Sequence, residues 1–481
     1  MIQEQEILRI LPELVLTAFG ILVMVAEAFL PAGRKHVTGP IALLGTIVAL
    51  VATVVQAANQ GYAFNRLIHV DTFSVFLHFL LLVIAALTIL TSMRYLERSR
   101  LSPGEFYALI LFATVGMGIM ASANELVLIF LGLETSSLAS YVLVGFRRNE
   151  PQSNEAALKY FLLGSFATAF LLYGIALLFG ATGTTLLPEI AEELAADGSS
   201  FGLALAGMAF LFVGLGFKVA AAPFQVWTPD VYEGAPTPVT AFLSTGPKAA
   251  TFAVLLRILF VALEPANGTW FWLLWVVAAL TMFVGNFGAL VQTSVKRMLA
   301  YSSIAHAGYI LVAFAARNEV GIAAVLFYLV AYALMKLGAF SLVSHISPTE
   351  ADHSLDLYAG LHSRRPALAA CLTVFLLSLI GIPLTAGFLG KFYIFRAAIN
   401  AGLIWLVVLG VANSLLSVPY YLRVIKMMYM SEPKGELTIA PVPASLAFVL
   451  TLTALGTIYL GIFPDAVQQF AASSVLSLTL P

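Results

Sequence analysis

Residues 214–230 read GLGFKVAAAPFQVWTPD and place Lys218 inside an apolar run that Pro223 and Pro229 interrupt. Without the prolines this run would continue as one apolar helix, but proline removes a backbone N–H group and disrupts a helix interior. A lysine in the middle of a membrane also costs about 2.5 to 3.5 kcal/mol. The stretch therefore predicts a discontinuous membrane helix near 214–230, where irregular backbone and a cation share a polar environment.

The composition of the whole chain places this stretch in an integral membrane protein. The chain has 481 residues, of which 60% are hydrophobic and only 10% are charged. Apolar runs of about 18 residues or more recur along it, and each can cross a hydrocarbon core of about 30 Å as a helix. We predict an all-α polytopic fold of fourteen spans with no soluble domain. The predicted spans lie near residues 7–30, 39–58, 71–93, 105–122, 124–146, 155–180, 203–227, 236–262, 270–292, 297–315, 319–344, 366–399, 402–429 and 442–463.

A second interrupted span is predicted near 381–391. The apolar segment around it would form a straight helix of roughly 50 Å, which is too long for the bilayer unless it bends or breaks. Its interior, LIGIPLTAGFLGKFYIF, contains the helix breakers Gly381 and Pro383, with Lys391 following them. A pair of interrupted spans, one in each half of a chain, is typical of transporters built from inverted repeats.

The distribution of basic residues predicts the orientation of the spans. Lysine and arginine in short loops remain on the cytoplasmic side. The loops after odd-numbered spans hold most of these cations, whereas the longest loop after an even-numbered span, PEIAEELAADGSS, is acidic. We therefore expect both termini to face away from the cytoplasm. The cations are Arg34, Lys35, Arg94, Arg98, Arg100, Arg147, Arg148, Lys296, Arg297, Arg364, Arg365 and Lys434, and the acids of the long loop are Glu189, Glu192, Glu193 and Asp197.

Seven ionisable residues inside or near the spans are candidates for a proton relay. Four lysines deep in the membrane would together cost on the order of 10 kcal/mol, which implies partners, water or a function. Burial disfavours the charged form of a lysine and a neighbouring carboxylate favours it, so a mobile glutamate–lysine pair can bind and release a proton. The candidates are Glu134, Lys159, Lys218, Lys248, His306, Lys336 and Lys391.

A structural role is the alternative for each candidate. Glu134 and Lys248 lie near the middle of their predicted spans, where Glu134 could pair with a lysine of a neighbouring helix. Lys159 lies only about one turn into its span, where a lysine can extend its ammonium group to the membrane surface. A purely structural contact could also account for His306 and Lys336.

The residue content argues against several other kinds of site. Cys371 is the single cysteine and cannot alone form a disulfide, an iron–sulfur cluster or a cysteine-based zinc site. His345, His353 and His362 fit a solvated loop better than a metal cluster, and His78 is too isolated to be half of a haem-ligand pair. A net charge of −1 with no basic block gives no sign of nucleic-acid binding. We expect no metal, cofactor or nucleic acid on this chain.

Five stretches around the candidate charges carry a resemblance to a known family. They read FLGLETSSLASYVLVGF, NEAALKYFLLGSF, GFKVAAAPFQVWTPDVYEGAPTPVTAFLSTGPKAA, VKRMLAYSSIAHAGY and IGIPLTAGFLGKF. With them the chain resembles, over nearly its whole length, the antiporter-like membrane subunits of complex I, the proton-pumping NADH:quinone oxidoreductase (type I NADH dehydrogenase). It looks most like the subunit N branch, since longer sister subunits usually carry an acid in place of Lys391.

The resemblance implies a fold and a division of the chain. It implies two inverted five-helix repeats, with the seventh and twelfth spans broken. The N-terminal helices, with the start of the first repeat, would occupy 1–122, and the first repeat itself 105–262. The second repeat would occupy 270–429, and a C-terminal helix 442–481.

The resemblance also implies roles for matching residues. Glu134 and Lys218 match the family's carboxylate–lysine pair. Lys248 matches the next relay position, and Lys391 matches the exit-side residue in the broken helix. The further members of the relay would be His306, Lys336 and Lys159.

The function implied is proton translocation coupled to electron transfer from NADH to a quinone such as ubiquinone. This chain would be one subunit of the translocase, and the redox steps would occur in its partner subunits. FMN, iron–sulfur clusters and quinone are expected in partner subunits, and no cofactor is expected in this chain. The expected partners are sister antiporter-like subunits, small membrane subunits and the lipid bilayer. The expected location is the bacterial cytoplasmic (inner) membrane, with both termini periplasmic.

Two other functions are compatible with parts of the sequence. A sodium/proton antiporter subunit would share the broken spans, but Lys391 and the lack of a carboxylate cluster suited to a hard cation count against it. An enzyme that itself binds quinone or haem is the other alternative. The lack of an axial-ligand pair argues against haem, but not against a peripheral quinone.

Overall fold

The computed structural model describes residues 4–99, 101, 103–196, 201–347, 349–350, 352–433 and 439–479. Arg100, Asp197 and Lys434, which contribute to the charge pattern above, lie outside these ranges. The first half of the described chain contains α1 (Glu4–Arg9), α2 (Leu11–Phe29), α3 (Thr38–Ala57), β1 (Gly61–Ala63), β2 (Ile68–Val70), α4 (Thr72–Ser99), α5 (Pro103–Ser122), α6 (Leu126–Val144), α7 (Pro151–Thr182), α8 (Leu187–Ala196), α9 (Phe201–Val219), α10 (Thr228–Gly234) and α11 (Thr237–Arg257). The second half contains α12 (Asn267–Leu290), α13 (Val295–Ala315), α14 (Glu319–Ile346), α15 (Leu361–Arg364), α16 (Pro366–Ile380), α17 (Ala386–Asn400), α18 (Ile404–Met430), α19 (Ala444–Ile462) and α20 (Asp465–Thr479).

Most of these helices are membrane spans. Thirteen segments of the described chain are long and apolar enough to cross a membrane. The remaining predicted span is the pair α16 and α17, of which α16 is a shorter apolar helix. The predicted all-α fold with about fourteen spans is confirmed.

The first predicted discontinuity separates α9 from α10. Helix α9 ends at Val219, and Ala220 follows with a left-handed φ of +62°. The chain then passes through a short 3₁₀ turn, Phe224–Trp227, before α10 begins. The break frees carbonyls at the end of α9, and the indole N–H of Trp227 donates to the Phe217 carbonyl at 2.9 Å. The same carbonyl also accepts from the Ala220 N–H at 3.1 Å, so backbone and side chain together close the end of α9.

The second predicted discontinuity separates α16 from α17. Gly381 ends α16 with a φ of +93°, a conformation that glycine adopts without steric cost. Its backbone N–H bonds back to Leu377 and Ser378, closing the last turn. The two broken spans are the seventh and the twelfth along the chain, five positions apart.

Burial separates the central helices from the peripheral ones. In the most apolar window of each span, 94% of α13 and 78% of α14 is buried, against 33% of α2 and of α7. An apolar helix that packs on all sides belongs in the core, and one with an exposed apolar face meets lipid. The polar residues of α13 and α14 therefore lie in the interior of the protein.

Several small elements differ from the prediction. The C-terminal segment predicted as one helix contains two, because Pro464 follows α19 and Asp465 begins α20. A short antiparallel hairpin pairs β1 with β2, and α8 is a further short helix. These elements are too short to give a reliable periodicity in the sequence.

Candidate functional site

Lys248 lies on α11 and is buried inside the protein. It follows Pro247, which lies within α11 and has no backbone N–H to offer Leu243. The Tyr232 hydroxyl donates to that Leu243 carbonyl at 3.1 Å. The Lys248 ammonium donates to the backbone carbonyl of Ser303 on α13 at 3.0 Å, and the residue is only 2% exposed. Lys248 thus connects α11 to the central helix α13.

A continuous chain of hydrogen bonds leads away from Lys336 on α14. Its ammonium donates to Ser302 Oγ at 2.6 Å, and the Tyr421 hydroxyl donates to the same oxygen at 2.6 Å. Tyr421 also lies 3.3 Å from His306 Nε2. The other ring nitrogen, His306 Nδ1, lies 2.5 Å from the Tyr328 hydroxyl. Every member is buried, and every link joins groups that can carry a proton.

Two neighbouring serines of α13 bring two lysines together. Lys336 also donates to the Leu299 carbonyl at 2.7 Å. Lys248 bonds to the backbone of Ser303, next to the Ser302 hydroxyl that binds Lys336. The Ser303 hydroxyl forms a short hydrogen bond with Tyr332. The cations of Lys248 and Lys336 are therefore attached to consecutive residues, where repulsion disfavours two full charges.

Lys391 lies at the second helix break. Its ammonium donates to the carbonyls of Leu379 and Ile380, at 3.1 and 2.9 Å, and to Ser414 Oγ at 2.9 Å. These are the last carbonyls of α16, where the helix dipole is negative and a cation is favoured. The ammonium also lies 4.5 Å from the centre of the Tyr309 ring. Breaking the span thus creates the site that stabilises the cation.

An open cavity lies beside Lys391. Its volume is about 540 Å³, and Lys391 and Ser414 contribute to its otherwise largely apolar lining. Gly381 and Ile382, from the break, also line it. The break therefore connects the cation with space outside the packed core.

Lys218 occupies a separate aromatic pocket between α6, α7 and α9. Its ammonium donates to Ser137 Oγ at 2.7 Å and to the Tyr141 hydroxyl at 3.3 Å. It also lies about 5 Å from the ring centres of Tyr141 and Tyr160. Hydroxyls and ring faces solvate the cation without neutralising it.

Glu134 lies on the same face of α6 as these hydroxyls but does not touch Lys218. Its carboxylate accepts a hydrogen bond from Thr168 at 2.7 Å, and the residue is half-buried. No ion pair within 4.0 Å joins Glu134 to Lys218 in the described part of the chain. Because Glu134 and Ser137 are three residues apart on one helix, the ammonium is held about one turn from the carboxylate. The structure therefore does not show the expected contact between Glu134 and Lys218.

The structure places Lys159 away from the other candidates. Its side chain is 41% exposed and pairs with Glu155 at 2.7 Å and with Asp230 at 2.8 Å. Asp230 in turn binds Arg297 at 2.8 Å. These contacts join α7, α10 and α13 at one end of the bundle.

Sequence reasoning overlooked the hydroxyl groups that connect the lysines. Tyr328, Tyr332 and Lys336 are four residues apart in succession, so the α14 spacing alone would have placed them on one face. Ser302 and Tyr421 had no such signal, because their contact joins residues far apart in sequence.

Possible metal ligands do not cluster in the structure. Among the residues that it describes, no three histidine, cysteine, aspartate or glutamate side chains are positioned to hold an ion. Cys371 is a free, partly buried thiol.

The apolar spans of the described chain, two of them broken beside buried lysines, define a polytopic membrane protein of the transporter type. The family model described as NADH:quinone oxidoreductase/Mrp antiporter, TM, matches residues 123–417. NADH-quinone oxidoreductase subunit N 2 of Koribacter versatilis is 52% identical over 98% of this chain and 97% of its own length.

Solved structures extend the comparison. A chain of respiratory complex I from Thermus thermophilus matches with a TM-score of 0.82 and 37% identity, covering 96% of this chain and 99% of that one. A chain of the Mrp complex from Dietzia matches with a TM-score of 0.87 at 22% identity, covering 99% and 98%, which shows a shared fold. The chain therefore belongs to the NADH:quinone oxidoreductase/Mrp antiporter family of membrane subunits and resembles its subunit N members most closely among these. The family predicted from sequence is confirmed.

Proposed function

We propose that this chain is a proton-translocating subunit of the membrane arm of an NADH:quinone oxidoreductase and carries no redox centre itself. The observation that carries the proposal is the buried chain from Lys336 through Ser302 and Tyr421 to His306. Lys248 bonds to Ser303, the residue next to Ser302, and the Lys391 ammonium lies 4.5 Å from the ring centre of Tyr309, which is on the same helix as His306. Such a chain supplies alternating donors and acceptors across the protein interior, which proton transfer requires.

The separated Glu134 and Lys218 are the proposed switch. With Lys218 on Ser137, the carboxylate and the ammonium lie apart, and a buried lysine without a paired carboxylate would give up its proton more easily. Movement of the ammonium towards Glu134 would instead retain its proton. Changing this pairing would therefore load or unload the relay that begins at Lys248.

The energy of such a switch is of the required size. Two unit charges about 4 Å apart interact with about 4 kcal/mol at an effective dielectric constant of 20. Moving one charge against 100 mV requires about 2.3 kcal/mol. One pairing change can therefore drive one proton against a membrane potential.

The remaining assignments follow from the same proposal. Lys391 would be the exit-side group, since it borders the cavity at the second break. Lys159 was predicted as a relay member, but its exposed ion pairs favour a role in joining helix ends. The division into repeats at 105–262 and 270–429 is supported by the five-span separation of the breaks.

We infer that the partners are other membrane-arm subunits, because the Koribacter relative and the Thermus chain are components of that complex. FMN, iron–sulfur clusters and the quinone site would belong to partner subunits. The basic loops would face the cytoplasm of a bacterium, with both termini periplasmic in the inner membrane. A sodium/proton antiporter remains the second candidate on the fold shared with the Mrp chain, but at 22% identity that likeness shows the fold alone.

Replacement of Lys218 tests the proposed switch. Lys218→Met removes the ammonium and retains an apolar chain of similar length. In the assembled complex we expect NADH-driven proton pumping to fall by roughly a hundredfold, as for the loss of a positioned proton-transfer group. The measurement is proton uptake by membrane vesicles, and Lys426→Met, at an exposed lysine of α18, is the matched control. Wild-type pumping by Lys218→Met would refute the assignment.

A further inference from the structure

A buried carboxylate–imidazole pair lies among the N-terminal helices, outside the relay. Glu13 on α2 and His78 on α4 are 7% and 3% exposed. Glu13 Oε1 lies 2.6 Å from His78 Nε2. In the described residues no hydrogen bond joins this pair to the lysines of the relay. Its chemistry is therefore not explained by the proposed pathway.

The hydrogen bonds fix how many protons the pair can exchange. His78 Nδ1 lies 2.7 Å from the Ser74 carbonyl, which only accepts, so Nδ1 carries a hydrogen. One further proton can lie between Nε2 and Oε1. It belongs either to an imidazolium facing a carboxylate or to a carboxyl group facing a neutral imidazole. Both forms are neutral overall, so the pair can hold this proton without a net buried charge.

The second oxygen of Glu13 argues against a permanently ionised pair. Glu13 Oε2 is buried and has no hydrogen-bond partner among the described residues. A buried ionised oxygen without a partner is costly, and protonation of the carboxyl group relieves that cost. Gly118 on α5 provides the room, since a Cβ there would lie 2.8 Å from Oε1 and 3.2 Å from His78 Nε2.

A polar cavity lies beside Arg257 at one end of the bundle, and hydrogen bonds lead from its wall towards the pair. Its volume is about 400 Å³, and its lining includes His69, Glu192, Arg257 and Glu264. It lies beside the hairpin and α8, in the segments that follow even-numbered spans. This end is opposite the one that carries the basic loops.

Buried charges connect the cavity wall to α4. Arg257 donates to Asp71 Oδ1 at 2.8 Å, and His69 Nδ1 lies 3.7 Å from Asp71 Oδ2. Asp71 caps α4 by accepting from the Ser74 N–H at 2.7 Å. Ser74 is the residue whose carbonyl binds His78, so a series of hydrogen bonds leads from Arg257 of the cavity wall through Asp71 and Ser74 to His78.

We propose that Glu13 and His78 form a proton-binding site that exchanges one proton with water in this cavity. On release, the proton shared by Nε2 and Oε1 passes to cavity water and leaves a carboxylate and a neutral imidazole. On uptake, a hydronium ion returns it. The charged and titratable groups that face this route are Asp71, Arg257, His69, Glu192 and Glu264. The site lies on the face opposite the basic loops, where translocated protons would leave.

The test uses the whole complex in proteoliposomes and rests on the proposed function only for its readout. Glu13→Gln can still donate an amide hydrogen bond to His78 Nε2 but cannot bind the proton. Glu27→Gln is the matched control, because Glu27 lies on the same helix and pairs with Lys35 at 2.8 Å. Proton pumping is measured from pH 5 to 9, a range chosen to cover imidazole titration.

We expect Glu13→Gln to lack one titration step that the unmodified complex and Glu27→Gln both show. His78→Gln should lack the same step, and the double variant should lose no more. A wild-type pH profile in Glu13→Gln would overturn the inference. Failure of Glu13→Gln to assemble while Glu27→Gln assembles would also overturn it, by showing that the pair is a structural clamp. An unmodified complex that pumps no protons would instead refute the proposed function.

Discussion

Two consecutive serines of α13 make different contacts with the proposed relay. Ser302 Oγ accepts from both Lys336 and Tyr421, so it is the only bridge between those two groups within the described chain. Ser303 Oγ instead bonds to Tyr332, which lies beside the chain of hydrogen bonds. The two positions are equally buried and differ only in what they connect.

We predict that Ser302→Ala slows proton pumping about tenfold. The variant removes one hydrogen-bonded link worth about 1.5 kcal/mol, and about 1.4 kcal/mol corresponds to tenfold in rate. Ser303→Ala removes a hydroxyl of the same kind from the neighbouring residue and should have a smaller effect. The measurement is the initial rate of proton uptake by vesicles with equal amounts of assembled complex. Equal losses in the two variants would contradict the chain drawn through Ser302.

The charged members of the candidate site were predictable from the sequence, because a charged residue stands out within an apolar span. Lys248 and Lys391 were recognised because a cation within an apolar span needs a reason. The connecting groups were not, because serine and tyrosine are unremarkable in membrane helices and their contacts join distant segments. The separation of Glu134 from Lys218 could not be predicted either. It depends on whether the ammonium bonds to Ser137 or to Glu134, which lie one helical turn apart on α6.

At the scale of elements, one carboxylate ties the segment after α14 to two helices. Glu350 accepts from Lys296 on α13 at 2.7 Å and from the Thr237 hydroxyl on α11 at 2.7 Å. His353 Nε2 lies 3.4 Å from the same carboxylate. Lys296 also donates to the Ala235 carbonyl at 2.7 Å, just before α11. The cluster fixes the entry of α11 relative to α13.

The charge of Glu350 gives this cluster a pH dependence. Burial alone would raise the pKa of Glu350, but the Lys296 ammonium and His353 hold that pKa well below its ordinary value. A depressed folded pKa contributes stability that is present above the unfolded value of about 4.3 and is lost as pH falls towards the folded value. Acid should therefore loosen this end of the bundle.

We predict that Glu350→Gln lowers the thermal stability of the assembled complex at pH 7. It leaves the buried Lys296 ammonium without its counter-charge, a change that typically costs about 3 to 5 kcal/mol. Glu97→Gln, which breaks an exposed pair with Arg94, should cost less than about 1 kcal/mol. The measurement is the midpoint of thermal inactivation from pH 4 to 8. Equal midpoints for Glu350→Gln and the wild type at pH 7 would contradict the electrostatic account.

Span positions and breaks were largely predictable because apolar length and Gly/Pro placement are local properties. The breaks at Ala220 and Gly381 fall inside the predicted intervals. The hairpin and α20 were not predictable from the local sequence, because both elements are short and pack on α4 and neighbouring helices.

At the scale of the whole molecule, the broken spans and the central helices form one arrangement. Spans on the periphery present apolar faces. Helices α11, α13 and α14 carry Lys248, His306 and Lys336 in the interior. Lys218 and Lys391 lie at the two breaks, with Lys248 and Lys336 between them. In the proposed mechanism, this order would let a change in the pairing of Glu134 and Lys218 reach the far break through neighbouring charges.

The measurement that tests the central claim most directly is the number of protons translocated per NADH oxidised by a complex carrying Lys336→Met. Lys336 donates the first hydrogen bond of the chain that leads to His306, and its side chain is fully buried. We predict an assembled complex whose proton-to-NADH ratio falls below that of the wild type. An assembled variant with the wild-type ratio and rate would show that protons do not pass through this chain.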